Sequence, residues 1–240
     1  MRIAVLSDIH SNLEALAAVL AHAGSVDAVW QLGDVVGYGP EPDAVVATLM
    51  AVGAVGVRGN HDAAALGGPE IAWFNPDARA AAEWTRDRLS DDTRAWLSGL
   101  PETLAIDDMT LVHGSPRDPL REYITSAAIA RANLGAVGTP HVLHGHTHVP
   151  VAFTADGDRM GVVAPSPGSS LALDGRRGLI NPGSVGQPRD GDPRASYLIL
   201  DPEAASVTWH RVPYDVATVQ AAIRAAGLPS RLADRLAIGA

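Results

Sequence analysis

The chain has 240 residues, enough for one well-buried α/β domain and short for two, and 47% of them are hydrophobic, as in an ordinary soluble globule. It contains no cysteine, which excludes disulfides and thiolate metal sites, so any metal must be held by carboxylate, imidazole, amide or water. A formal net charge of −9 offers no general basic surface for long nucleic acid, no apolar stretch approaches the ~20 residues of a membrane helix, and no basic, apolar leader precedes the first strand; a cytoplasmic protein with neither a nucleic-acid nor a membrane partner is expected.

In chain order, residues 2–6 form an apolar run that reads as a strand, and Asn12 can cap a helix over 13–23, where Leu13, Leu16 and Leu20 recur at helical spacing. Residues 26–32 read as the next strand, 41–52 as a helix opened by Pro42, and 54–57 as a third strand that delivers Arg58-Gly59-Asn60-His61-Asp62. A βαβαβ start implies a parallel sheet with right-handed crossovers. Two helices follow within 75–99, with Pro76 near the first start and Ser90 as cap of the second, and Trp73, Trp84 and Trp96 are read as core or interhelical packing.

After Pro101 the pattern changes to short strands at 103–106, 109–112, 141–143, 149–153, 161–163, 171–173 and 179–180, separated by Gly and Asp turns. Residues 195–200 and 206–212 alternate around Asp201-Pro202 as a hairpin, and 215–226 reads as a closing helix. The stretch 228–240 has little to anchor it except leucines; Leu228, Leu232 and Leu236, taken as exposed at helical spacing, can pack on another subunit or back on the body, and no feature sets the oligomeric state. The expectation is a single domain over 1–240, with its core in 1–215 and a C-terminal helix and tail in 215–240. Two sheets contribute strand ends to one rim, with helices outside.

Five ligand-rich segments each follow an apolar run: Asp8-Ile9-His10, Gly33-Asp34, Gly59-Asn60-His61-Asp62, His113-Gly114 and Gly145-His146-Thr147-His148. In open α/β sheets ligands collect beyond the carboxyl ends of strands, which is where these segments fall. Asp8 and His10 are two apart, so on an extended or nearly extended backbone both side chains project to one side and can share a cation, and His146 and His148 repeat the spacing. Glycines 33, 59, 114 and 145 remove Cβ atoms where loops crowd together.

This ordered set resembles the calcineurin-like metallophosphoesterase superfamily, in particular its small bacterial phosphodiesterase and phosphatase branch, over residues 3 to about 189. The loop Asn181-Pro182-Gly183-Ser184-Val185-Gly186 is also similar to that branch. The resemblance implies a four-layer αββα sandwich of two packed mixed β-sheets flanked by helices. It implies that Asp8, His10 and His148 bind one cation, that Asn60, His113 and His146 bind another, and that Asp34 and a water or hydroxide nucleophile bridge the pair. Two cations roughly 3.5 to 4 Å apart lower the pKa of a shared water and clamp the oxygens of an in-line phosphoryl displacement. Such oxygen and imidazole donors suit two divalent transition-metal ions, with manganese preferred here and Fe, Co, Ni or Zn as alternatives.

His61 is not needed as a ligand and is the candidate general acid for the leaving oxygen. Some small bacterial phosphodiesterases of the superfamily have Cys at this position; this chain keeps His. Protein phosphatases of the superfamily carry Gly-Asp-x-Val-Asp-Arg-Gly around the bridging Asp, whereas this chain reads Gly33-Asp34-Val35-Val36-Gly37-Tyr38-Gly39. Loss of that Asp, which orients the acid His, and of that Arg, which grips phosphate, argues against a dedicated phosphoprotein phosphatase. Tyr38 reads equally as a pocket wall and as a residue packed under the site; Arg189 reads as a phosphate donor or as an exposed turn, and Arg117 and Arg121 share that ambiguity. Asp62 either orients a ligand or caps a helix. His22, His141, His144 and His210 fall outside the ligand pattern and read as surface or satisfied core.

The resulting expectation is a phosphodiesterase or broad-specificity phosphatase acting on small phosphoesters such as nucleotides. The alternatives are a non-catalytic interaction scaffold on the same fold and a phosphoprotein phosphatase.

Overall fold

In the computed structural model, which describes residues 1–157 and 159–240, alternation within single strands sets the layering. The first half of the chain runs β1 (Ile3–Leu6), α1 (Leu13–Ala23), β2 (Ala28–Gln31), α2 (Pro42–Ala51), β3 (Val55–Gly56), α3 (Asn60–Ala65), α4 (Pro76–Arg86), α5 (Asp91–Gly99), β4 (Thr103–Ile106) and β5 (Met109–Val112). It continues through α6 (Ala127–Leu134), β6 (His141–Leu143), β7 (Val151–Asp156), β8 (Arg159–Val163), β9 (Ser170–Ala172), β10 (Gly178–Asn181), β11 (Ala195–Asp201), β12 (Ser206–Val212), α7 (Val216–Ala225) and α8 (Ser230–Asp234).

One six-stranded sheet has the order β3-β2-β1-β11-β12-β9 and the other β4-β5-β6-β10-β7-β8. The strands β1, β2 and β3 are parallel, as are β5, β6 and β10, and the remaining pairings are antiparallel. Ile3 and Val5 point between the sheets and pack with Trp30, Leu111, Leu143, Ile180 and Leu198. Ala4 and Leu6 point the other way, beneath Leu16 and Val19 of α1 and Val45 and Leu49 of α2. On the far side Val142, Phe153 and Leu179 receive Ala130 and Leu134 of α6. Strand period and helical stripe therefore generate the four layers of an αββα sandwich. Among the described residues no helix is long and apolar enough to cross a membrane.

Three helices were not foreseen. In α3 the sequence Asn60-His61-Asp62 followed by three alanines lacks an apolar stripe, and the helix is fixed by Asp62, whose carboxylate accepts from the Gly59 N–H at 2.9 Å. Ser126 caps α6 by accepting from Ile129 N–H at 3.3 Å. The tail also departs from expectation: Leu228, Leu232 and Leu236 are buried, and pack with Val219, Ile223, Ala78, Ala81 and Tyr38. Their helical spacing matches an apolar groove between α4 and α7, so they close on the body of the same chain.

Candidate metal centre

The parallel strands of both sheets end at one rim, and the five ligand-rich segments start there. The parallel ladder does not stop with β1 and β2: Asp8 N–H donates to Gly33 O at 3.1 Å and His10 N–H to Asp34 O at 2.9 Å, which zips the two loops together. Asp8, His10, Asp34, His146 and His148 all have φ between 51° and 66°. This corrects the extended geometry expected for Asp8-x-His10 and His146-x-His148. The loops curl back at the strand ends, and left-handed residues, not an extended pleat, turn both members of each pair to the rim. Each such conformation costs about 1–3 kcal/mol in a non-glycine residue and persists only where surrounding bonds over-determine it.

Those bonds come largely from the Asn181–Gly186 loop. Val185 N–H and Gly186 N–H donate to Ser7 O and Asp8 O at 2.9 and 3.0 Å, and Ser184 Oγ donates to Asp8 O at 2.8 Å. Asn181 Nδ2 donates to Gly145 O at 2.8 Å and to Thr147 Oγ1 at 3.1 Å, so the same loop holds the His146 segment. Glycine is required at 145, where a Cβ would lie 1.9 Å from Ser7 Oγ and 2.7 Å from Asp8 Oδ2, and at 59, where it would lie 2.2 Å from Asp34 N and Oδ1.

The seven donors are buried and converge. Asp8, His10, Asp34 and His148 form one group whose ligand atoms all lie within 4.8 Å of one another, and Asp34, His113 and His146 form a second. His148 Nε2 is 3.2 Å from Asp8 Oδ1 and 3.2 Å from His10 Nε2. His113 Nε2 is 2.9 Å from Asn60 Oδ1 and 3.0 Å from His146 Nδ1, which brings the amide into the second group. Asp34 Oδ2 faces both groups, 3.6 Å from His10 Nε2 and 3.4 Å from His113 Nε2, while its Oδ1 accepts from His61 N–H at 2.8 Å.

The tautomers test whether a cation fits. His10 Nδ1 donates to Val36 O at 3.2 Å, His113 Nδ1 to Leu32 O at 2.9 Å and His148 Nδ1 to Gln187 O at 2.6 Å. A carbonyl can only accept, so each Nδ1 carries the hydrogen and each ring, in its neutral form, presents a bare Nε2 lone pair to the rim. Two such lone pairs, on His10 and His148, face each other at 3.2 Å, and a shared positive charge converts that repulsion into ligation.

The electrostatics agree. Burial opposes ionisation of Asp34, yet the His113 and His61 imidazoles hold it well below the usual carboxylate range, and Asp8 is likewise held down against burial by His148. Burial pushes His146 down to about 3 and His10 well below its ordinary value. His113 alone is lifted, to about 9, because the carboxylates of Asp34 and Asp8 outweigh its burial. Two buried carboxylates among mostly neutral imidazoles make a pocket that draws positive charge, and this donor set can hold two hard or borderline divalent cations.

His61 sits beside this centre, its ring stacked on Phe74 at 4.3 Å, tilted on Tyr38 at 4.3 Å and edge-on to His10 at 5.0 Å. Its Nδ1 is buried without a hydrogen-bond partner, and burial pushes the ring down to about 4. Gly37, at φ +91°, passes so close that a Cβ would lie 2.7 Å from that Nδ1. Aromatic packing therefore orients the ring. Tyr38 is buried against His10 and His61 and also lines a cavity. Arg189 is half-buried, with Cζ 5.8 Å from the Tyr38 ring centre.

Asp62 caps α3, as one of its two readings expected, and also accepts from Val36 N–H at 2.9 Å, which holds the Asp34 loop. Arg117 pairs with Glu122, and Arg121 lies 4.3 Å over the Trp73 ring. Trp73 is a correction: it is 50% exposed and not core, whereas Trp84 and Trp96 are partly buried against the body. His144 and His141 are buried in or beside β6, and His22 and His210 meet Tyr197 on the outer face of the other sheet. Phe74 and Tyr123, the latter stacked on His146 at 3.7 Å, escaped the sequence reading because single aromatics in loops carry no periodic signal.

The comparisons with known proteins agree with this geometry. A model of the calcineurin-like phosphoesterase superfamily domain matches residues 1–205. An uncharacterised protein of Methanocaldococcus jannaschii is 34% identical over 245 residues, covering 99% of this chain and 98% of its own. The crystal structure of a metallophosphoesterase from Sphaerobacter thermophilus is 47% identical, covers 100% of this chain and 99% of its own, and superposes with a TM-score of 0.93. A Pyrococcus horikoshii protein structure, 22% identical over 100% of this chain and 98% of its own, shares the fold with a TM-score of 0.81. With sequence, fold and buried donor set in agreement, the chain belongs to the calcineurin-like phosphoesterase superfamily and is a hydrolase.

Proposed function

We propose that the chain is a dinuclear metal-dependent phosphodiesterase or broad-specificity phosphatase acting on small phosphoesters such as nucleotides. The observation that carries the reading is Asp34 Oδ2, one carboxylate oxygen facing both donor groups. Asp8, His10 and His148 would hold one cation and Asn60, His113 and His146 the other, with Asp34 between them and manganese the preferred metal. Bound there, two divalent cations supply Lewis-acid polarisation of the phosphoryl group and acidify water into a nucleophile.

The chain's own residues supply the remainder. His61 is the general acid. With its ring pushed down to about 4 by burial, it is neutral until the negative charge of a phosphate beside it raises its proton affinity; it then takes up a proton from solvent and gives it to the departing oxygen. Phe74, Tyr38 and His10 keep the ring facing the centre. Tyr38 walls the substrate position and Arg189 supplies a guanidinium to its phosphate. Gly37 leaves no carboxylate at His61 Nδ1, which supports small diesters and nucleotides over phosphoproteins.

The test is turnover of bis(p-nitrophenyl) phosphate and p-nitrophenyl phosphate with added Mn²⁺. Metal-dependent release of p-nitrophenol is expected, and His61→Ala is expected to lower kcat by on the order of 10² to 10⁴ with bound metal nearly unchanged. No metal-dependent turnover across a broad phosphoester panel contradicts the reading.

A further inference from the structure

The loop between β5 and α6 lays Tyr123 against the candidate centre: its ring stacks on that of His146 with centres 3.7 Å apart and planes at 21°. The backbone that carries it is fixed without help from the ring. Glu122 accepts from Ser115 Oγ at 2.6 Å and from Asn133 Nδ2 at 2.8 Å and pairs with Arg117, while Arg121 lies over Trp73. Tyr123 is nonetheless 48% exposed, so a ring that covers a donor imidazole on one face leaves much of its surface open.

Beside the ring lies a cavity of about 390 Å³, within the range of ligand pockets. Its wall runs from Tyr123 to Ala127 at the start of α6, and β7 and β8 contribute Val151, Phe153 and Val162. Phe153 and Val162 are register partners in an antiparallel pair and Val151 is two residues from Phe153, so the strand period gathers all three on one face. Thr147, between the donors His146 and His148, also lines the cavity and ties it to the centre.

We propose that this cavity receives an uncharged aromatic or apolar ester group of the substrate, with Tyr123 as the residue that selects it. The proposal rests on the hydrolase reading above and adds its substrate class, phosphoesters whose ester group is flat or apolar and carries no charge. None of the described side chains lining the cavity is charged, and the hydroxyls of Ser126 and Thr147 are already bonded, to Ile129 N–H and to Asn181 Nδ2. A charged group placed there loses its water without gaining a partner. An aromatic group instead buries apolar surface against Phe153 and Val162 and packs on the Tyr123 ring. A phosphoryl group held at the centre lies next to His146, and an ester group extending from it on that side meets Tyr123 first. That continuity with the donors marks the occupant as part of the substrate and not another protein.

Methylphosphonate and benzylphosphonate, whose C–P bonds resist hydrolysis, are compared by calorimetry on protein saturated with Mn²⁺. The benzyl group should tighten binding by about ten-fold or more, and a carboxylate added to its ring at the para position should remove most of that gain. The gain should persist in Tyr123→Phe, fall sharply in Tyr123→Ala, and fall likewise in Val162→Asp, which sets a carboxylate in the cavity at an exposed position. Equal binding of the two phosphonates or binding of neither overturns the proposal without any variant. An undiminished gain in Tyr123→Ala or Val162→Asp protein that melts with the unmodified one overturns it too, as does a sizing measurement in which the unmodified chain is a dimer and Val162→Asp a monomer. A retained benzyl gain in protein that turns over no phosphoester would sink the hydrolase reading and leave the pocket standing.

Discussion

Asp62 joins the two loops that carry Asp34 and Asn60, and its replacement isolates how much that joint contributes. The carboxylate is fully buried and accepts from Val36 N–H and Gly59 N–H, both at 2.9 Å. In Asp62→Ala both donors lose their acceptor, and a buried unsatisfied N–H costs about 1–3 kcal/mol, so the loss is about 2–6 kcal/mol before relaxation. For a chain of this size that lowers Tm by roughly 4–24 °C. The pH dependence has a definite sign. Burial first and the Asp34 charge second push the Asp62 carboxyl up to about 7, from an ordinary value of 3.8. A carboxyl with a raised folded-state pKa contributes stability that is fully present below its unfolded value and is lost as pH rises through about 7. Alanine removes that burden together with the hydrogen bonds, so the variant's deficit is larger at pH 5.5 than at pH 8. Differential scanning calorimetry of chelator-treated protein measures both. An Asp62→Ala protein melting within about 2 °C of the unmodified one at pH 5.5, or a deficit that grows with pH, refutes the reasoning.

Two further substitutions probe the loops. Gly145→Ala places a Cβ 1.9 Å from Ser7 Oγ and 2.7 Å from Asp8 Oδ2, and is expected to abolish turnover and reduce bound metal; wild-type metal content by elemental analysis contradicts this. Ser11 holds φ 52° with a buried hydroxyl that has no partner, so Ser11→Gly relieves strain and desolvation together. Against the entropy gained by the unfolded chain, a net stabilisation of about 1 kcal/mol is expected in urea denaturation, and a lowered midpoint contradicts it.

Much of the layering is legible in the sequence because the two periodicities are clean. Ile3 to Leu6 alternates between two cores, and α1 and α2 carry ordinary apolar stripes with Asn12 and Pro42 at their starts. The short helices are less legible, since α3 is defined by a carboxylate cap and not by a stripe, and α8 by a groove that exists only once α4 and α7 are folded. The donor residues stand out by type and order, but their backbone conformation does not: spacing of two suggested an extended pair, whereas Asp8, His10, His146 and His148 are left-handed. That conformation is imposed from 36 to more than 170 residues away, by Ser184, Gly186 and Asn181. Likewise, what orients His61 is the absence of a side chain at Gly37 and the presence of Phe74, neither of which has a local signature.

The central claim is that seven buried donors form one two-ion centre hinged on Asp34. Elemental analysis of protein reconstituted with excess Mn²⁺ and then desalted tests it most directly, beside an Asp34→Ala variant of unchanged circular dichroism. Two ions per chain, falling to one or fewer in the variant, is the predicted result; an unmodified chain that retains no metal, or a variant that still holds two ions, would contradict the account.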